Sequence, residues 1–210
     1  MSLVPLPELL DHARQGRYAV GYFESWDVYT LEATLRAAEA EKSPVVIGIG
    51  GLTAEHGWLR TCGTAIYGAA ASFLAQRAGV PTAVIFNEAD SLEEAAGALG
   101  AGYNAVMMHT QGWAWDRLVA DTKALVEAAH PLGIAVQGEV GALAEMKDGV
   151  VDETIGATTD VDQAVEFVSA TGVDCLAVAV GNVHFVTEGH TPTLDIDKIA
   201  ELERSIDVPL

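Results

Sequence analysis

Short apolar runs alternate along this chain with longer stretches whose apolar residues recur every three or four positions. The runs are Tyr18–Phe23, Val45–Gly50, Pro81–Phe86, Ala105–Met108, Ile134–Val140 and Cys175–Val180. Each has the length and β-branched content of a strand. They lack in/out polar alternation, as expected when both faces are covered. The stretches between them predict helices. Leu3–Arg14 places Leu6, Leu9, Leu10 and Ala13 on one side. Val28, Leu31, Leu35 and Ala38 mark a second helix, running to about Glu41 and capped by Asp27 or Ser25. Ala65–Ala78 is rich in small residues. Ser91 with Glu94 forms a capping box for the next helix, which stops near Gly100. Further helices are predicted over Trp113–His130, from Asp160 to about Ala170, and over Asp195–Arg204. Gly141–Thr159 reads as a long loop. Val208-Pro209-Leu210 resembles the first residues of a seventh strand.

Six strands alternating with helices imply a parallel α/β architecture. An open doubly wound sheet and a closed barrel both fit. The barrel is preferred because the repeat is regular and no Gly-x-Gly-x-x-Gly follows the first strand. The expected fold is therefore a TIM-type (βα)8 barrel, a single domain over residues 1–210. A full barrel takes about 250 residues, so the expectation is truncation at strand seven, with strands seven and eight missing and the natural protein longer.

Composition narrows the partners. The 210 residues are half hydrophobic, enough for a sizeable core. Thirty acidic residues against 11 basic give a net charge of -19. No basic patch can be drawn, so nucleic acid and anionic membrane are excluded as expected partners. Two cysteines, Cys62 and Cys175, form no disulfide framework or metal-binding spacing. No apolar run reaches the roughly 18 residues of a membrane span. A cytoplasmic protein is the expectation.

In a parallel barrel, sites are built where strands end at their carboxyl side. Those ends carry Glu24, Gly50 with Gly51, Asn87 with Glu88 and Asp90, His109, Glu139, and then Gly181, Asn182, His184 and Glu188. Imidazole and carboxylate together suit zinc or a related divalent ion. The ligands would come one per strand, without a local spacing motif. Each residue also has a plainer explanation. His184 can bond a loop backbone, His109 precedes an ordinary turn at Thr110-Gln111-Gly112, and Asp90 can serve the helix at Ser91. Glu139 stands out, because a carboxylate inside an apolar strand needs a partner. Trp113 and Trp115 are assigned to helix packing.

Several segments resemble class II, zinc-dependent ketose-bisphosphate aldolases. They are Tyr18–Phe23, Ala37–Ile47, Ala101–Met108, Ala129–Gly141, Asp148–Val150, Ala164–His184 and Leu194–Asp197, in matching order and spacing. The chain resembles the family's N-terminal three quarters. The resemblance implies a (βα)8 barrel, usually dimeric or tetrameric, in which zinc polarises a substrate carbonyl and stabilises an enediolate. By position, His184 matches a zinc-ligand histidine and Glu139 the carboxylate beside the metal. The family's remaining histidine ligand would follow strand seven, beyond Leu210.

The departures from that pattern are also specific. The family's Asp-His pair after strand three is Asn87-Glu88 here. Asn cannot act as acid or base at neutral pH, whereas Glu88 can still bind zinc. At strand four the family's common Asp is His109. Phe185 replaces a phosphate-binding Gly, Lys147 falls where a proton-transferring Glu would be, and the strand-one Asn and strand-two Ser become Glu24 and Gly50. The expected site therefore has Asn87 and Glu139 in catalytic positions. His184, Glu88, Glu139 and His109 are the metal set, with Gly181, Asn182, Glu24 and Gly50 facing substrate. The expected function is a zinc-dependent lyase acting on a ketose phosphate or related carbonyl substrate. The alternative is a non-catalytic homologue that binds a small molecule or a protein partner.

Overall fold

The computed structural model describes residues 2–50, 63–143, 145–147, 150–152, 158–183 and 192–210. Six parallel strands form one sheet in the order β1 (Gly21–Glu24), β2 (Val45–Gly50), β3 (Thr82–Ala89), β4 (Ala105–Met108), β5 (Ala135–Val140) and β8 (Cys175–Val178). Each parallel step requires a crossover, and the helices supply it. They are α1 (Leu6–Gly16), α2 (Val28–Glu41), α3 (Thr64–Ala75), α4 (Leu92–Ala98), α5 (Trp115–Ala129), α6 (Val161–Thr171) and α7 (Ile196–Ser205). A 3-10 turn, His130–Leu132, follows α5.

Side-chain caps start four helices where the sequence places them. Asp27 accepts from the Thr30 N–H at 2.7 Å, Asp160 from Gln163 at 2.9 Å and Asp195 from Lys198 at 2.9 Å. Ser91 accepts from Glu94 at 3.2 Å, while the Glu94 carboxylate reaches back to the Asp90 N–H at 2.7 Å. That return bond falls one residue before the usual capping-box position.

Strand alternation sorts the interior into two layers. Outward side chains such as Ile47, Phe86, Val106 and Val136 pack against α2 to α6 in the larger core. Phe86 and Phe167 are fully buried there, each contributing about 1.5–3 kcal/mol by burial. Inward side chains Val46, Ile85, Met107, Ala135 and Cys175 form a second cluster, closed from below by Leu6 and Leu9 of α1. The sheet is curled. One inner cavity of about 180 Å³ is lined both by Val20 and Tyr22 at the β1 side and by Cys175, Ala177 and Leu210 at the β8 side. Beside β8, the Leu176 N–H donates to the Pro209 carbonyl at 2.9 Å, so the chain's last residues run where a further strand would pair.

Four sequence expectations need correction. The segment expected as a loop contains an antiparallel pair, β6 (Glu145–Lys147) and β7 (Val150–Asp152). β1 is shorter than the run Tyr18–Phe23, because the Tyr18 N–H returns to Ala13 and closes α1, with Arg17 in the left-handed region. Nor is β1 covered on both faces: Gly21, Tyr22 and Phe23 are exposed at the sheet's edge. Finally, β3 extends to Ala89 through a bulge. Phe86 pairs with Val106 and Ala89 with Met108, so β3 holds one extra residue, and Glu88 has φ of 54°.

Candidate functional site

The alternation that points Val46, Ile85, Met107 and Ala135 inward continues to the strands' carboxyl ends. It places Gly50, Asn87, His109 and Glu139 on the same inner face, and Val20 likewise leads to Glu24 on β1. Five of the predicted strand-end residues therefore share one mouth. Gly50 stands opposite Asn87 in register. Glu24 crosses to β2, where its Oε1 accepts from the Gly50 N–H at 3.2 Å. A Cβ at Gly50 would stand 3.1 Å from that oxygen, so the glycine leaves room for the carboxylate.

Glu88 follows Asn87 in the bulge. Its left-handed backbone is costly for a non-glycine residue, of order 1–3 kcal/mol, and such strain concentrates at sites of function. Glu88 is near enough to Tyr22 to act on its phenol. Although Tyr22 is 38% exposed, its pKa is pushed above the ordinary 10, first by desolvation and then by the Glu24 and Glu88 carboxylates. Tyr22 thus stays neutral and able to donate a hydrogen bond.

Across the mouth, Glu139 is held by Thr110. The Thr110 N–H and hydroxyl both donate to Oε2 of Glu139, each at 3.2 Å. His109 is half-buried, and among the described residues its buried Nδ1 has no hydrogen-bond partner. Nearby, Thr159 ties the ends of β5 and β8 together. Its hydroxyl donates to the Val140 carbonyl at 2.6 Å and accepts from the Ala179 N–H at 2.8 Å. Past β8, Gly181 turns with φ of 92° against the Thr193 carbonyl. The Asn182 Oδ1 accepts from the Val180 N–H at 2.8 Å, so this oxygen shapes the loop.

His184, Phe185 and Glu188 lie outside the described residues, as do the side chain of Lys147 and both Cys62 and His56. Among the described residues, no three His, Cys, Asp or Glu side chains form a group able to hold a metal. His109 and Glu139 are nonetheless donors of the type zinc takes. They sit on adjacent strands, and among the described residues one has an unsatisfied ring nitrogen and the other is anchored through a single oxygen. Their donor chemistry suits a divalent ion, and a third donor would have to come from outside the described residues. Sequence reasoning missed Thr110, Thr159 and Tyr22. Thr110 is adjacent to His109 in the chain, which was its one available signal.

A curled parallel sheet with helices outside and a polar mouth at the strands' carboxyl ends is the architecture of barrel-type α/β enzymes. The family is then set by comparison. The model described as fructose-bisphosphate aldolase class-II matches residues 4–210, and the chain belongs to that family. It is 33% identical over 211 residues to the probable fructose-bisphosphate aldolase of Bacillus subtilis, covering 100% of this chain and 72% of that protein. To a 6-phospho-5-dehydro-2-deoxy-D-gluconate aldolase of Bacillus licheniformis it is 31% identical over 211 residues, covering 100% and 70%. The crystal structure of the YdjI aldolase from Escherichia coli K12 aligns with a TM-score of 0.81 at 30% identity, covering 99% of this chain and 71% of that one. Among the described residues, no helix is long and apolar enough to cross a membrane.

Proposed function

We propose that this chain carries out aldol cleavage and condensation on a sugar phosphate or related carbonyl substrate, assisted by a divalent metal ion. The reading rests on the convergence of Glu24, Asn87, His109 and Glu139 at one mouth, in a chain of the class II aldolase family. On this reading the fold is a (βα)8 barrel. The protein works in the cytoplasm as a homodimer or homotetramer.

His109, Glu139, Glu88 and His184 would hold the ion. When bound, zinc supplies Lewis acidity toward the substrate carbonyl. The protein's own residues then divide the remaining work. Cleavage removes the proton from a hydroxyl, breaks the adjacent carbon–carbon bond and leaves an aldehyde and an enediolate. Asn87 can orient that hydroxyl but cannot take its proton. Glu139, with one oxygen fixed by Thr110, is the carboxylate available to accept and return it. Gly50, Gly181, Glu24 and Asn182 border the substrate.

The test is elemental analysis of purified protein, followed by coupled assay of ketose phosphates with and without chelator. About one zinc per chain and chelator-sensitive aldehyde release are expected, both lost in His184→Ala. Turnover that survives complete metal removal would refute the reading. The second reading, a non-catalytic homologue that binds through the same mouth, is favoured by one observation: Asn87 where the family carries Asp. It predicts ligand binding with no turnover even in added zinc.

A further inference from the structure

A recess of about 290 Å³ opens between the amino ends of α5 and α6, beside the mouth. Thr110, Trp113, Trp115, Glu139 and Gln163 line it, over a floor that includes Val140. Its volume lies at the lower end of small-molecule pockets, enough for a short polyol or one sugar ring. The recess is bounded by β4, β5, α5 and α6, one strand in from the edge strand β8.

Both indoles are held by neighbouring side chains. Arg117 lies over the Trp113 ring, 3.7 Å from its centre, and is itself paired with Asp121 at 3.3 Å. Trp115 packs on Phe167 at 6.2 Å between ring centres. The polar groups remain available. Gln163 uses its backbone N–H on the Asp160 cap, and among the described residues nothing bonds its side-chain amide. Among the described residues, Glu139 is bonded through Oε2 alone. Among the described residues, no Lys or Arg lines the recess, and the one charged residue lining it is a carboxylate, which disfavours phosphate. Aromatic walls with a free amide and a carboxylate suit hydroxyl groups carried on a carbon skeleton. Glu139 also borders a smaller cavity of about 60 Å³ on its other side, with Leu143, Ala177 and Asn182. The same residue thus borders both cavities.

We propose that this recess is a subsite for the uncharged, polyhydroxylated end of the substrate, whose reacting carbonyl lies at the mouth beyond Glu139. The inference rests on the aldolase reading of that mouth, and it places the substrate's single phosphate at the opposite end. Substrates phosphorylated at both ends are then disfavoured.

Two measurements test it separately from catalysis. In the first, metal-free protein is titrated with glucitol, followed by tryptophan fluorescence and saturation-transfer NMR, with glycerol 3-phosphate as the charged control. Saturable glucitol binding is expected, stronger than that of the control, with Kd raised about fivefold by Gln163→Ala, the loss of one hydrogen bond. In the second, kcat/KM is measured with zinc for ketose 1-phosphates of increasing chain length. It should rise about tenfold with length in the wild type and stay flat in the variant. Gln163 is exposed, so the variant should fold, and an unchanged thermal midpoint confirms this. Glucitol binding that ignores Gln163, or turnover indifferent to length, overturns the subsite while leaving the aldolase reading intact. Gln163-dependent binding with no turnover of any ketose phosphate keeps the subsite and removes the aldolase reading. Absence of both removes both.

Discussion

Thr110 donates twice to one oxygen of Glu139, through its backbone N–H and through its hydroxyl, at 3.2 Å each. Because Thr110 follows directly on His109, one short segment after β4 both presents an imidazole to the mouth and aims the carboxylate of the next strand. Removing the hydroxyl should therefore harm geometry more than stability. Thr110→Val is expected to lower kcat about tenfold while costing about 1 kcal/mol of folding free energy. Thr110→Ser should recover most of the rate. A valine variant with full activity would show that Glu139 needs no such anchor.

Asn87 offers a test of proton handling. Restoring a titratable group with Asn87→Asp should raise the retro-aldol rate at neutral pH, by up to the 10²–10⁴-fold typical of acid–base catalysis. The pH–rate profile should gain an acid limb, falling as the new carboxylate protonates near pH 4. An unchanged profile would mean the proton passes through another residue.

Gly102 and Gly68 bring α3 against the turn before β4. Gly102 has φ of 109°, and a Cβ there would stand 2.5 Å from the Gly68 carbonyl oxygen. A Cβ at Gly68 would in turn stand 2.5 Å from the Ala101 oxygen. Backbone contact of this kind cannot yield as a flexible side chain can. Gly102→Ala is expected to cost about 3 kcal/mol, read as a lower urea midpoint with an unchanged slope.

Asp27 carries a pH signature. The Thr30 N–H and then its hydroxyl hold the carboxyl below its ordinary range. A carboxylate depressed in the folded state stabilises above its unfolded pKa of about 3.9, and that contribution is lost as pH falls through the lower folded value. The gap in thermal midpoint between wild type and Asp27→Ala should be widest near neutrality and close below about pH 4. A gap independent of pH would remove the charge from the explanation.

Much of this architecture is legible in the sequence because burial on both faces writes an unbroken apolar run. Val45–Gly50 and Ala105–Met108 have the same bounds in the structure as in the pattern, and Asp27, Ser91, Asp160 and Asp195 cap as their residue types suggest. The hairpin of β6 and β7 escapes notice because three-residue strands are too short to show a period. The β3 bulge escapes because one inserted residue leaves no mark in composition. At the site, alternation was enough to bring Glu24, Asn87, His109 and Glu139 to one face. The Thr110–Glu139 pairing joins residues 29 apart, and only three dimensions bring them together.

The bulge in β3 has one further effect. A regular strand would send Asn87 and Glu88 to opposite sides, and the second would intrude among the apolar side chains beneath the helices. With the extra residue, Phe86 and Ala89 both remain in the outer core, and two consecutive polar side chains are kept out of it. This strand end therefore offers two neighbouring positions whose identities can change independently, on a backbone already adapted to hold them. On the proposed reading, replacing an acid by an amide at one, or an imidazole by a carboxylate at the other, changes the chemistry of the mouth without repacking the sheet. A lineage of such chains can explore new reactions by point substitution at a location where the packing of the core is not at risk.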